Sequence, residues 1–147
     1  MRTTSRALAV AAAIAFAAPA AAQPEAVSTD RAPAAIGPYS QAILAGDTLY
    51  LAGQIAIDPA TGELAPGPIE AETRLVLENL EAVLAAADMT MANVVSTTVF
   101  MADLDAFPRM NEVYATFFGD APPARATVEV ARLPRDVKIE ISAIAVR

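Results

Sequence analysis

Two segments whose apolar residues recur with a period of 3.6 stand among segments that alternate with a period of 2. This order of switching limits the folds open to the chain. The longer helical pattern covers residues 69–87, with Val76, Leu77, Leu80, Val83, Leu84 and Ala87 on one face. Glu70 and Glu72 fall in its first turn, where the helix dipole favours negative charge. The shorter pattern can be capped by Asp103 or Asp105 and runs to about Phe118, where Gly119 ends it. Phe107, Met110, Val113, Tyr114 and Phe117 form its apolar stripe. Strands are predicted at residues 40–44 and 48–52, joined by the tight turn Ala45-Gly46-Asp47. Others are predicted at the β-branched run 94–101, at 125–130 and at 137–146. The order ββ-α-β-α-ββ predicts an α+β domain with two helices packed on one face of a sheet. Such a sheet has a second face to bury. The closing strand is apolar on both sides at Ala143, Ile144, Ala145 and Val146, so self-association is expected.

The first 22 residues belong to a different kind of sequence. Arg2 and Arg6 precede an uncharged apolar run over residues 7–18, and Pro19 is followed by Ala20-Ala21-Ala22. A charged start, a short apolar stretch and an Ala-x-Ala site predict a secretory signal, residues 1–22, cleaved after Ala22. The run is shorter than the roughly 20 residues of a comfortable membrane span, which disfavours an anchor. Localisation is then periplasmic or extracellular, with no membrane association after cleavage. Residues 23–35, rich in Ala and Pro without an apolar period, read as a linker, which leaves 36–147 as the folded domain.

Composition narrows the chemistry. The chain has no His and no Cys, which excludes imidazole bases, Ser-His-Asp triads, thiolate nucleophiles and His- or Cys-ligated metals. A formal net charge of −7 argues against a nucleic-acid footprint, which needs clustered Lys and Arg. Catalysis would fall to carboxylates, Arg, Tyr, hydroxyls, amides or backbone groups.

Alternation puts Arg125, Thr127 and Glu129 on one face of the penultimate strand, and Lys138, Glu140 and Ser142 on one face of the last. If residues 131–136 closed an antiparallel hairpin with Val130 facing Val137, Glu129 would lie opposite Lys138 and Thr127 opposite Glu140. Arg125 would then be diagonal to Glu140 on the same surface. That geometry admits two readings. Arg125–Glu140 and Glu129–Lys138 could be plain cross-strand ion pairs. Alternatively, the Arg125 fork could hold a substrate carboxylate while Glu140 delivers water to the neighbouring carbon.

Four segments taken together resemble one family: 36–42 (Ile-Gly-Pro-Tyr-Ser-Gln-Ala), 51–55 (Leu-Ala-Gly-Gln-Ile), 123–134 (Pro-Ala-Arg-Ala-Thr-Val-Glu-Val-Ala-Arg-Leu-Pro) and 137–141 (Val-Lys-Ile-Glu-Ile). The chain resembles the RidA family of reactive-intermediate (enamine/imine) deaminases, also called YjgF-like proteins, over about residues 30–147. The resemblance implies a bacterial chorismate mutase-like fold, a mixed sheet with two helices on one face, assembled as a homotrimer with sites between subunits. It implies that Arg125 clamps a carboxylate, that Glu140 holds the hydrolytic water, and that Tyr39, Gly53, Asn111 and Thr127 line the cleft. The implied reaction is hydrolysis of 2-imino or enamine acids, such as 2-aminoacrylate and its tautomer 2-iminopropanoate, to 2-ketoacids and ammonia, with no cofactor or metal. Two positions depart from the family's usual residues: Ala52 where Ser is common, and Thr127 where Cys or Ser is common. The alternative from another class is a non-catalytic, small-carboxylate-binding or chaperone-like trimer. Glu140 weighs against it, because a pure receptor gains nothing from a carboxylate beside an anionic ligand.

Overall fold

The computed structural model describes residues 23–147. The expected signal, residues 1–22, lies outside the described residues. The elements in chain order are β1 (Glu25–Val27), β2 (Ala42–Ala45), β3 (Thr48–Gln54), α1 (Ile69–Ala86), β4 (Val94–Met101), α2 (Phe107–Phe118), β5 (Ala124–Glu129) and β6 (Ile139–Val146). They form one six-stranded mixed sheet in the order β1-β2-β3-β6-β4-β5. Both helices pack on one face, as their apolar stripes require. Val76, Leu77, Leu80, Val83 and Leu84 of α1, with Met110 and Tyr114 of α2, share a core with Leu49, Val99, Met101, Ile139 and Ile141 of the sheet. Gly46 makes the β2–β3 turn at a φ of 60°, a left-handed conformation that glycine adopts without steric cost. A short turn, Leu104–Ala106, leads into α2, and Asp103 caps it by accepting a hydrogen bond from the Asp105 backbone at 2.8 Å.

Three sequence expectations are corrected. Strands β5 and β6 are not a hairpin. β5 pairs in parallel with β4, Thr97 opposite Arg125, and β6 lies between β3 and β4. Helix α2 is the crossover that a parallel pair needs. The most apolar strand takes the central slot, where Ile139, Ile141, Ala143 and Ala145 are all buried, whereas a hairpin would have left it near an edge. The segment 23–35 is not a plain linker: Glu25–Val27 pairs antiparallel with Ala42–Leu44, and Ala32 is buried in the core. Its order comes from backbone pairing and from Gln41, whose Nε2 donates to the Thr29, Ala32 and Pro33 carbonyls while its Oε1 accepts from the Thr29 amide. None of these partners follows from a local period.

The third correction concerns Lys138, which does not pair with Glu129. Its ammonium donates to Glu72 Oε1 at 3.0 Å and its backbone amide to Glu72 Oε2 at 2.9 Å, while Glu129 accepts from the Leu104 amide at 2.8 Å. Glu72 is a carboxylate 2% exposed in the first turn of α1, and it also accepts from the Gly67 amide at 3.3 Å. It ties the start of the helix to the start of β6. Replacing Glu72 by Ala would strand these donors and cost about 2 kcal/mol. That lies below the range for a fully buried pair because Lys138 is largely solvated. A lower urea midpoint with an unchanged slope is the expected result.

Candidate active site

Strand parity divides the residues that the sequence suggested should meet. On the helix-covered face, cross-strand partners run Leu51–Ala143–Thr97–Arg125, and Ile141–Val99–Thr127. On the open face they run Tyr50–Ile144–Ser96 and Glu140–Phe100–Val128. Arg125 and Glu140 are therefore on opposite faces of one chain, with β4 between their strands. The single-surface arrangement expected from the hairpin register does not form, because a parallel β4–β5 pair reverses the assumed relation between β5 and β6. Neither the Arg125–Glu140 ion pair nor the Glu129–Lys138 pair occurs among the described residues.

One chain instead carries two separate clefts. The first is a cleft of about 320 Å³ lined by Tyr39, Ala52, Gly53, Pro134 and Glu140, among others. It forms where the β3–β6 register slips between Leu51 and Gln54, a bulge that lifts the strand away from its neighbour. Gly53 sits in that bulge. A β-carbon there would collide with the Glu140 carboxylate, whose Cδ lies 2.8 Å from the site of that carbon. Glycine is thus required for the carboxylate to lie flat on the strand. Desolvation raises the Glu140 carboxyl above the ordinary carboxylate range. Tyr39 is half exposed at the rim, and its hydroxyl accepts from the Ile36 amide at 3.3 Å, closing the 36–39 turn. Ala52 presents only a methyl group to this cleft.

The second is a shallower groove lined by Asn111, Tyr114, Phe118, Pro123 and Arg125. Helix periodicity brings Asn111 and Tyr114 to the same side of α2. The Arg125 guanidinium lies over the rings of Tyr114 and Phe107, at 4.5 and 5.4 Å from their centroids. It is half-buried and has no carboxylate partner among the described residues. Two residues along, the Thr127 hydroxyl is buried without a hydrogen-bond partner.

Tyr39, Gly53 and Glu140 thus come together, and so do Asn111 and Arg125, with Thr127 beside the latter pair. Among the described residues no group of three or more His, Cys, Asp or Glu could hold a metal ion. Sequence reasoning missed Phe107 and Tyr114 as partners of the cation and read them only as core. The signal available was their seven-residue spacing on one helix face, with Asn111 between them.

These contacts make Glu140 testable before any reaction is assigned. A carboxyl raised by folding favours the native state below its unfolded pKa, and that contribution is lost as pH rises through the folded value. Glu140→Gln is expected to be more stable than the parent at pH 7 and to lose that advantage below about pH 4, the ordinary Glu range. Thermal unfolding at the two pH values reads this directly. Gly53→Ala should push the carboxylate into solvent and return its titration toward the ordinary range, measurable by carboxyl-carbon NMR.

Comparison with known proteins agrees with this architecture. A family model described as endoribonuclease L-PSP matches residues 29–147. A RutC family protein of Pyrococcus horikoshii is 55% identical over 82% of this chain and 96% of its own length. The mouse 2-iminobutanoate/2-iminopropanoate deaminase is 49% identical over 82% of this chain and 90% of its own. The crystal structure of Escherichia coli TdcF with bound serine superposes with a TM-score of 0.80 at 46% identity, covering 84% of this chain and 98% of that one. With a family model spanning the described domain and relatives near half identity along almost their full lengths, the chain belongs to the endoribonuclease L-PSP family, which takes in the RutC and RidA proteins.

Proposed function

We propose that this protein hydrolyses 2-imino acids and their enamine tautomers to 2-ketoacids and ammonia, in clefts completed between copies of the chain. The observation that carries this reading is a complementary pair of unsatisfied charges. Arg125 stands in one groove without an acid, and Glu140 stands desolvated in another cleft without a base. Sheet parity forbids their meeting within a chain. Packing the β5 edge of one copy against the β3–β6 bulge of the next would bring them together. The name of the mouse deaminase, about half identical to this chain, supports the same chemistry.

In that cleft the roles follow from the groups. Arg125 grips the α-carboxylate through two parallel bonds, with Asn111 and the Thr127 hydroxyl beside it. Tyr39 closes the rim, and Gly53 keeps the strand close enough for Glu140 to reach the imine carbon. Glu140 takes a proton from water as its oxygen adds to the C=N carbon and passes that proton to the nitrogen, which gives the neutral carbinolamine. Glu140 then takes the carbinolamine hydroxyl proton as the C=O bond forms and delivers it to the amino nitrogen as the C–N bond breaks, so that ammonia departs and the ketone remains. One water is consumed for each ammonia released. An imine carbon is already electrophilic, so orientation of substrate and water, worth several kcal/mol, suffices without imidazole or metal. A carboxyl raised by burial suits a group that must both accept and return a proton.

The assembly is proposed to be a homotrimer that buries the open sheet face, on which Tyr50 and Val128 are 50% and 42% exposed. The leader is proposed to deliver the mature chain, beginning at Gln23, outside the inner membrane. Its substrates there would be imines released by exported amino-acid or amine dehydrogenases and oxidases. An RNA substrate has little support, because the chain is acidic and the two clefts contain one cation, Arg125.

Purified protein added to an amino-acid oxidase with semicarbazide should divert the imine from semicarbazone, and Arg125→Ala or Glu140→Ala should behave as buffer. Mixing the two inactive variants under conditions that exchange subunits should restore about a quarter of the sites, because each site takes one group from each neighbour. No recovery on mixing would refute a site shared between copies. Wild-type protein that bound 2-ketoacids yet left the trap rate unchanged would favour the binding-only trimer.

A further inference from the structure

We infer that Tyr114, locked by Thr97 and assisted by Phe107, is a positioning residue that fixes the place of the Arg125 guanidinium and so governs affinity for the substrate carboxylate. The inference rests on the proposed role of Arg125 as the carboxylate clamp. A long arginine side chain with no acid partner has several rotamers and no electrostatic reason to choose one. Here three elements of the β4–α2–β5 crossover converge on it. Thr97 of β4 lies directly opposite Arg125 in the parallel register. Its hydroxyl is 2.7 Å from the Tyr114 hydroxyl, and the two residues are only 2% and 5% exposed. A buried hydrogen bond at the far end of the phenol stops the ring from turning. The ring face is thereby held 4.5 Å from the guanidinium carbon, and Phe107, two helical turns earlier, supplies a second ring at 5.4 Å.

This arrangement has a chemical consequence. The two rings hold the cation at one place in the groove, and no carboxylate among the described residues takes its N–H donors, which can therefore bind a ligand carboxylate in two parallel bonds. The rings also remove water from the cation before the ligand arrives. Affinity therefore depends on the rings that hold the cation as well as on its charge. Lysine, a point charge without a flat face, cannot reproduce it.

The test is NMR titration of the assembled protein with 2-oxobutanoate, a stable carboxylate probe, alongside kinetics in the imine trap. Tyr114→Leu is expected to weaken 2-oxobutanoate binding about tenfold, in the range of a partly desolvated cation–ring contact. KM should rise in parallel and kcat should change less. Tyr114→Phe should recover most of that loss by restoring the ring. Thr97→Val should fall between the two, and Arg125→Lys should bind far less tightly than its retained charge implies. A purely structural role would reduce the fraction of binding-competent protein and leave the affinity of the remainder unchanged. Should Tyr114→Leu fail to fold, Phe107→Leu carries the test, with about threefold weaker binding expected. Wild-type affinity and KM in the ring variants, with binding abolished in Arg125→Ala, would overturn the inference alone. Wild-type affinity in Arg125→Ala would overturn the clamp itself.

Discussion

Everything in this fold follows from β6 occupying the middle of the sheet. Its alternate residues Ile139, Ile141, Ala143 and Ala145 are 0–4% exposed beneath the helices, so the strand has only one register parity that keeps them dry. That parity sends Glu140, Ser142 and Ile144 to the open face. It also separates β5 from β6 by the width of β4, and β5 turns Arg125 and Thr127 toward the helices. The burial that stabilises the domain is what divides the two charged groups.

The division has an energetic logic. A chain that paired Arg125 with Glu140 internally would satisfy both charges and leave nothing for a ligand. Keeping them apart costs stability twice. Glu140 is desolvated without compensation, which is why its carboxyl is raised, and Arg125 is held half-buried against Tyr114 and Phe107 without a carboxylate partner among the described residues. The ion pairs the protein does make are of another kind. Glu72–Lys138 knits α1 to the start of β6, and Arg132–Asp136 braces the loop that places Pro134 at the cleft wall. A half-buried cation without an acid and a desolvated carboxyl without a base, each facing a cleft, are the features that support the proposed site.

Much of this was legible in the sequence where the controlling interactions are local. The helical stripes and the run at Val94–Met101 were readable because amphipathic periods depend on which side of one element is wet. Gly46 and Gly119 marked chain reversals because only glycine enters the left-handed region cheaply, and both do so. The strand at Glu25–Val27 escaped notice because three residues of backbone pairing leave no side-chain pattern. Gln41 escaped because its carbonyl partners lie eight to twelve residues upstream in a segment with no period of its own. The stack of Tyr114 and Phe107 on Arg125 was hidden because aromatics on an apolar stripe look alike whether they cover aliphatic carbon or a cation.

The amino-acid order by itself determined which residues could carry chemistry and which elements would hold them, because composition and periodicity are properties of the chain. It could not determine which strands would be neighbours. Strand pairing is decided by competition among all the apolar faces for the same buried volume, and the last strand to be made won the centre. With that outcome the face and surroundings of Arg125 and Glu140 were settled together, and neither could be read from its own segment.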